Sequence, residues 1–372
     1  MPFNNTPPQF ACPAVSVVIP MFNAEKYVGA CLDSLLVQTF QNFEVIVVDD
    51  CSTDNAVAVV QSYAEKFGGR FKLARMKKNT GSAGFPRNKG IELSRGEYIY
   101  FMDADDFITP TALEELYTLA KNFDADVVHC ENYYQASDEI LNDAKRRKNL
   151  KPWNSLTGEK ILVTKPLVWE NNFEERIKIF FNPRKLDWAI WNHLIRRDFI
   201  TDNEIKFCDI VIAEDMLFTF CELCCAKRYV LIPNVVYYYR LTENSLTRGK
   251  KDLSKLLSRQ VKALKTGIKY IDDFLSEREF FSHRPDLKYI LFDTFANEMF
   301  GYVTSIYAQV PAPALDELLQ KEFSDGTGKA LTTFLFSTVN SYRLQLIRAQ
   351  QFAAQAHQRI AQLENEIRRL KG

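Results

Sequence analysis

The sequence predicts an α/β protein: a mostly parallel β-sheet flanked by helices. Three observations carry that expectation. Apolar runs of strand length alternate with stretches of helical spacing. Three of the runs, VSVVI, FEVIVV and EYIYFM, read as buried strands. Each stops abruptly, at Pro20-Met21-Phe22-Asn23, at Asp49-Asp50 and at Asp103-Ala104-Asp105-Asp106. In sheets of this class ligands bind beyond the carboxyl ends of the strands, so these three ends point to one site.

Taken in order, Val15–Ile19 is the first strand and Pro20 ends it. Tyr27, Cys31, Leu32 and Leu35 recur at helical spacing and predict a helix over 24–37. Phe43–Val48 is the second strand. Asp54 in Ser52-Thr53-Asp54 caps a helix over 55–67. Phe71–Arg75 is a short strand. A glycine-bearing loop, Gly81–Gly84, precedes a helix around 88–94, and Glu97–Met102 is the fourth strand. Pro110 opens a helix to about 122, and Asp126–Cys130 returns as a strand. The segment 187–200, DWAIWNHLIRRDFI, predicts an amphipathic helix. Val235–Arg240 is a strand with an aromatic face, and helical patterns dominate after Lys251.

The chain has 372 residues, enough for one large domain and an appendage. Its 47 basic and 47 acidic residues balance, which argues against nucleic acid as a partner. The start, MPFNNTPPQFACPA, has neither a basic n-region nor an apolar h-region, so no signal peptide is expected. No run reaches the roughly 18 apolar residues of a membrane span. A cytoplasmic protein is expected, with peripheral contact at the membrane's inner face left open. The run Lys145-Arg146-Arg147-Lys148 either attracts anionic lipid or is a solvated loop. The Cys221–Cys224 spacing lies in LFTFCELCC, which reads as a buried helix using cysteine as a small apolar residue; a metal or redox role is the alternative.

At the C-terminus Leu346, Ala349, Ala353, Ala356, Ile360, Leu363, Ile367 and Leu370 keep a strict 3-4 spacing. That is a heptad seam. Arg359 with Glu364, and Glu366 with Lys371, set opposite charges at its flanks and favour a self-associating coiled coil. Packing on the same chain is the alternative. The expected division is an extension over 1–13, a catalytic domain over 14–250, a helical region over 251–340 and a coiled-coil helix over 341–372.

Carboxylates dominate the candidate chemistry. Asp103 and Asp105, one residue apart at a strand end, can share Mg²⁺ or Mn²⁺, which use one or two carboxylates plus substrate phosphates; aspartate is also common in turns. Asp50 can accept from a base N–H or a ribose hydroxyl. Arg87 opens a helix, where its fork suits a phosphate or a base carbonyl. Glu214-Asp215 sits in an apolar segment, where burial raises a carboxyl pKa and fits a proton acceptor; an acid pair favoured by a helix N-terminus is the alternative.

With these pieces assembled, the chain resembles family 2 of the inverting glycosyltransferases, of the GT-A fold and the bacterial surface-glycan type. The matching stretches are VSVVIPMFNAEKYVGACLDSLLVQTFQNFEVIVVDDCSTDNA, NTGSAGFPRNKGIELSRGEYIYFMDADD, WNHLIRRDFI, IAEDMLF and YYYRLTENSLT, in order across residues 14–247. The resemblance implies a nucleotide pocket of Pro20, Phe22, Asn23, Glu25, Asp50, Arg87 and Asp103. It implies Asp105 as the ligand of Mn²⁺ or Mg²⁺, Asp215 as the catalytic base, and Arg240 and Ser245 closing over the diphosphate. The implied donor is a nucleotide sugar, UDP-linked by resemblance, and the acceptor a glycan or lipid-linked glycan. Cys51 departs from the family's glycine after the paired acids, Phe85-Pro86 from its small residues, and no histidine follows Arg240. A sugar-phosphate nucleotidyltransferase lacks support because the loop after the first strand has no glycine-rich, arginine-bearing motif. A noncatalytic coiled-coil assembly protein would not need Asp105 and Asp215.

Overall fold

The computed structural model describes residues 12–153, 164–170, 174–177, 187–242, 253–307, 309–310 and 312–323, with Arg348, Gln351, Phe352, Gln355 and Ile360 beyond them. Strands Val15–Met21 (β1) and Phe43–Asp49 (β2) are buried along their whole length, which is why both read as apolar runs. Phe71–Arg75 (β3) and Tyr98–Phe101 (β4) complete a parallel block: β1 pairs with β2 and β4, and β2 with β3. Further along lie Phe107–Ile108 (β5), Val127–Cys130 (β6), Tyr134–Ser137 (β7), Leu167–Glu170 (β8), His193–Arg196 (β9), Arg228–Ile232 (β10) and Tyr237–Leu241 (β11). The eight-stranded sheet runs β3-β2-β1-β4-β9-β6-β10-β8, and β5-β11-β7 form a small sheet beside it. Only β9 and β8 oppose their neighbours in the large sheet.

Helices Val28–Leu36, Ala56–Phe67, Gly84–Leu93 and Ala112–Asn122 join the parallel strands. Gly90 decides how one of them lies. A Cβ there would stand 2.1 Å from Val18 Cγ1, so glycine lets Gly84–Leu93 rest directly on β1. That close approach sets the height of Arg87 above the sheet.

Two expectations need correction. Pro20 does not end β1, which continues to Met21 in register with Asp49. The Val18 carbonyl accepts from Met102 N–H, so even-numbered residues of β1 turn their polar groups towards β4. The β4 ladder stops at Val18–Phe101, and a proline two residues on forfeits no ladder bond. The amphipathic helix over 187–200 is absent. Ile190–Asn192 is a 3₁₀ turn, His193–Arg196 is β9, and a helix begins only at Arg197. Apolar residues at 190, 191, 194 and 195 satisfy helical spacing, but they also suit a strand inserted antiparallel between β4 and β6.

LFTFCELCC is helical, within Glu214–Cys225, and Cys221 and Cys224 are buried free thiols. The basic run falls on the short helix Ala144–Arg147, where Arg146 pairs with Glu139 and Arg147 donates to the Leu141 carbonyl.

The chain divides into two compact units, Met1–Lys250 with Lys265–Thr294, and Lys251–Leu264 with Phe295–Gly372. Within the second, Leu257, Val261, Leu318 and Leu319 are buried and Ser258 donates to Glu322. The proposed coiled-coil seam over 341–372 lies outside the described residues but for isolated positions. Among the described residues no helix is long and apolar enough to cross a membrane.

Candidate active site

Because β1, β2 and β4 share a direction, Asn23, Asp50 and Asp103 leave the sheet at one rim. Antiparallel β9 starts at that rim, and the helix Glu214–Cys225 brings Asp215 there in its first turn. Ala213, just before it, holds a left-handed φ of 69°.

Arg87 is the hub. It lies in the first turn of Gly84–Leu93 and is 3% exposed. One Nη donates to Asp215 Oδ1 at 2.6 Å and the other to Asp103 Oδ1 at 2.8 Å. Glu214 Oε1 stands 3.6 Å from the first Nη. The fork expected to reach a phosphate or base is therefore engaged by the protein's own carboxylates. Burial opposes the Arg87 charge, but Asp215, Asp103 and Glu214 outweigh it, so the guanidinium stays protonated.

Burial pushes both Glu214 and Asp215 above the usual carboxylate range. Asp215 adds to the rise at Glu214 and Arg87 opposes it; at Asp215, Arg87 opposes and Asp103 adds. Asp215 is 26% exposed at its side chain, so it is reachable by a substrate while held in place.

The second acidic group is Asp103 to Asp106. Burial, and then the Asp103 charge, raises the Asp105 carboxyl to about 6. Asp106 is buried and accepts from the Tyr237 hydroxyl at 2.8 Å and from Arg240 N–H at 2.7 Å. Asp103 N–H in turn donates to the Tyr237 oxygen at 3.1 Å. Arg240, expected at the diphosphate, is buried; its Nε donates to the Asp105 carbonyl at 2.6 Å and its Nη pairs with Asp138. Ser245 lies outside the described residues.

Asp103 and Asp105 fit a hard divalent cation. Both are oxygen donors at the rim, and Asp105 is a carboxylate raised by burial and then by the Asp103 charge, which a cation would counter. Among the described residues no group of three or more His, Cys, Asp or Glu side chains is placed to hold a metal ion.

The residues expected on the nucleotide side are engaged by neighbouring loop residues. Asn23, at φ 49°, accepts from Thr53 N–H at 2.8 Å. Glu25 accepts from the backbone and side-chain amides of Asn55, both at 3.1 Å. Asp50 is buried and accepts from Thr80 N–H at 3.0 Å, Thr80 O–H at 2.9 Å and Gly81 N–H at 3.2 Å, fixing the loop before Arg87. Phe22 is 50% exposed, whereas Pro20 is buried in β1. Sequence reasoning missed Asp106, Asp138 and Tyr237. Asp106 stood in a run already marked as acidic. Tyr237 and Asp138 carry no local signal.

The model of the family described as glycosyl transferase family 2 matches residues 16–198. Glycosyltransferase GlyG of Streptococcus pneumoniae is 30% identical over 248 residues, 64% of this chain and 75% of that protein. The chain belongs to glycosyl transferase family 2. EpsJ of Bacillus subtilis, described as an uncharacterized glycosyltransferase, is 32% identical over 236 residues; that match spans 63% of this chain and 63% of EpsJ. Among solved structures, Staphylococcus aureus TarS residues 1–349 in complex with UDP-GlcNAc superposes with a TM-score of 0.60 at 20% identity, over 89% of this chain and 91% of that one. That likeness establishes the GT-A fold, expected from the sequence, for this family 2 member.

Proposed function

We propose that this family 2 protein is an inverting glycosyltransferase. It moves a sugar from a UDP-sugar to a hydroxyl of a glycan or lipid-linked glycan in bacterial surface-polysaccharide synthesis. The observation that carries the reading is Arg87, which binds Asp103 and Asp215 at once and so brings the donor-side carboxylate and a raised, reachable base together. TarS relatives, poly(ribitol-phosphate) beta-N-acetylglucosaminyltransferases 31% identical to this chain, support the acceptor class. The UDP-GlcNAc complex of TarS supports uridine.

The acceptor hydroxyl attacks the anomeric carbon opposite the diphosphate. The new C–O bond forms as the bond to the β-phosphate oxygen breaks; the hydroxyl proton passes to Asp215 and UDP leaves with the bonding pair. A single displacement inverts the anomeric centre. Asp105, with Asp103 beside it, would hold Mn²⁺ or Mg²⁺, and the ion would supply charge neutralisation to the leaving diphosphate. Phe22, Asn23 and Glu25 line the base and ribose side, and Asp50 shapes it through the Thr80–Gly81 loop. Arg240 fixes Asp105 and Asp106 from behind. Ser245 is assigned to the diphosphate on the family pattern. A cytoplasmic location, at the inner face of the membrane for a lipid-linked acceptor, goes with this reading.

Asp215→Asn tests it. The expected outcome is a loss of transfer of about 10²–10⁴-fold, with UDP affinity in Mn²⁺ retained by calorimetry. Undiminished turnover would remove Asp215 from the reaction.

A further inference from the structure

The helix that carries Asp215 is apolar on nearly every side. Met216, Leu217, Phe218, Phe220, Leu223 and Cys224 of Glu214–Cys225 are all buried. A helix apolar all round has no single stripe to turn towards the core, so its apolar packing leaves the rotation about its axis loosely set. Nor does a cap fix its start, since Ala213 precedes it and offers no side-chain hydrogen bond. Yet Asp215 reaches the rim at one rotation only.

Polar side chains on one face set that rotation. Asp215, Thr219 and Glu222 stand four and then three residues apart, which puts them in one row along the helix. Each meets a partner. Asp215 meets Arg87, the Thr219 hydroxyl donates to the Trp188 carbonyl at 3.4 Å, and the Glu222 carboxylate accepts from His193 Nδ1 at 2.7 Å. Trp188 and His193 flank the turn that opens β9, so the row docks the helix on the start of that strand. Both side chains of the Glu222–His193 bond are 0% exposed. His129 pairs with His193 across β6 and β9, and the two ring centres are 4.1 Å apart. The Tyr229 hydroxyl holds His129 at 2.8 Å, which gives the His193 ring a fixed wall.

The pair is a poor stabiliser. Glu222 Oε1 and His193 Nε2 have no hydrogen-bond partner among the described residues. Taking an incompletely satisfied acid–imidazole pair out of water costs more than apolar side chains of similar size would. What such a pair supplies is direction, a bond made at one rotation of the helix and lost at others. It also lies within electrostatic reach of the base: burial raises the Asp215 carboxyl, and His193 stands with Arg87 among the groups that draw it back.

We infer that Glu222 and His193 are positioning residues for the base: their buried bond fixes the rotation of the helix Glu214–Cys225 and so aims Asp215 at the rim. This rests on the glycosyltransferase reading for what Asp215 does there; the rotation of the helix is independent of it.

The double variant His193→Leu, Glu222→Leu removes the pair without leaving one buried charge alone. Its Tm is expected at or above that of the unaltered chain. Its kcat for UDP release from UDP-glucose, UDP-galactose or UDP-N-acetylglucosamine in Mn²⁺, with water as acceptor, is expected to fall about tenfold or more, with KM and UDP affinity unchanged. Glu222→Gln, whose amide oxygen still accepts from His193 Nδ1, is expected to recover most of that loss. Methyl NMR of methionine-labelled protein reads the helix directly. The signal of Met216, next to Asp215 and assigned with Met216→Leu, is expected to shift in the double variant and to stay in place in Glu222→Gln. An unmoved Met216 signal, an undiminished kcat in the double variant, or a Tm that falls in step with kcat overturns the proposal. Should the unaltered protein release UDP from none of the three donors, the glycosyltransferase reading loses its support, and the Met216 signal alone decides the rotation.

Discussion

Cys51 holds a φ of 64°, a left-handed conformation that a glycine would occupy without strain. The family pattern places glycine there, and the structure shows why. The Cβ costs roughly 1–2 kcal/mol, against roughly 0.5–1 kcal/mol of extra chain entropy that glycine would lose on folding. Cys51→Gly is therefore expected to stabilise the protein by up to about 1 kcal/mol, read as a rise in Tm of about 1–2 °C. A fall in Tm would show that the Cys51 thiol contact with the Met76 carbonyl matters more than the backbone. Glu214 stores a different strain, since burial and then the Asp215 charge raise its carboxyl above the ordinary value. A raised carboxyl keeps its proton in the folded chain at a pH where the unfolded chain has lost it. Its contribution to stability is full below the ordinary pKa and drains away as pH climbs through the raised one. Glutamine has no such dependence. Glu214→Gln should thus gain Tm relative to the unaltered chain between about pH 4 and pH 8, measured by calorimetry without ligand. A pH-independent difference would mean that Arg87 compensates Glu214 fully.

At the scale of elements, the helix Gly84–Leu93 controls the site because it carries Arg87. It owes its closeness to the sheet to Gly90. Gly90→Ala would drive a methyl into Val18, costing about 1–3 kcal/mol as overpacking does, and the helix would lift with Arg87 on it. Lower Tm together with reduced turnover is the expected pair of results. Reduced Tm with unchanged turnover would separate the helix from the chemistry. The strand β9 teaches the complementary lesson. Its residues satisfy a helical period as well as a strand's, and only neighbours on both edges, β4 and β6, make the strand the better solution. Its reversal matters for function. Running against β4, β9 places its starting turn, with Ile190 and Trp191, at the rim where the parallel strands end.

At the scale of the molecule, the heptad seam from Leu346 to Leu370 proposes a homo-oligomer. A chain ending at residue 340 should be a monomer by light scattering where the full chain is not, with its transfer activity to short acceptors retained. Equal masses for the two chains would return the seam to packing within one copy.

The sequence by itself determined the alternation of strands and helices, the rim at which three strands end, and the acids that gather there. Those are local facts: burial on both faces writes apolar runs, and a strand's end writes a polar break. Only the tertiary structure decided what the charges do. Asp103 and Asp215 are remote along the chain, and nothing in their neighbourhoods says that one buried arginine joins them. Arg87 and Arg240 have the side chains of phosphate binders, yet both are buried and spend their forks on aspartates. A side chain's charge is legible from its letter; the partner that engages it is set by which strand ends and helix starts the fold brings within about 3 Å of it.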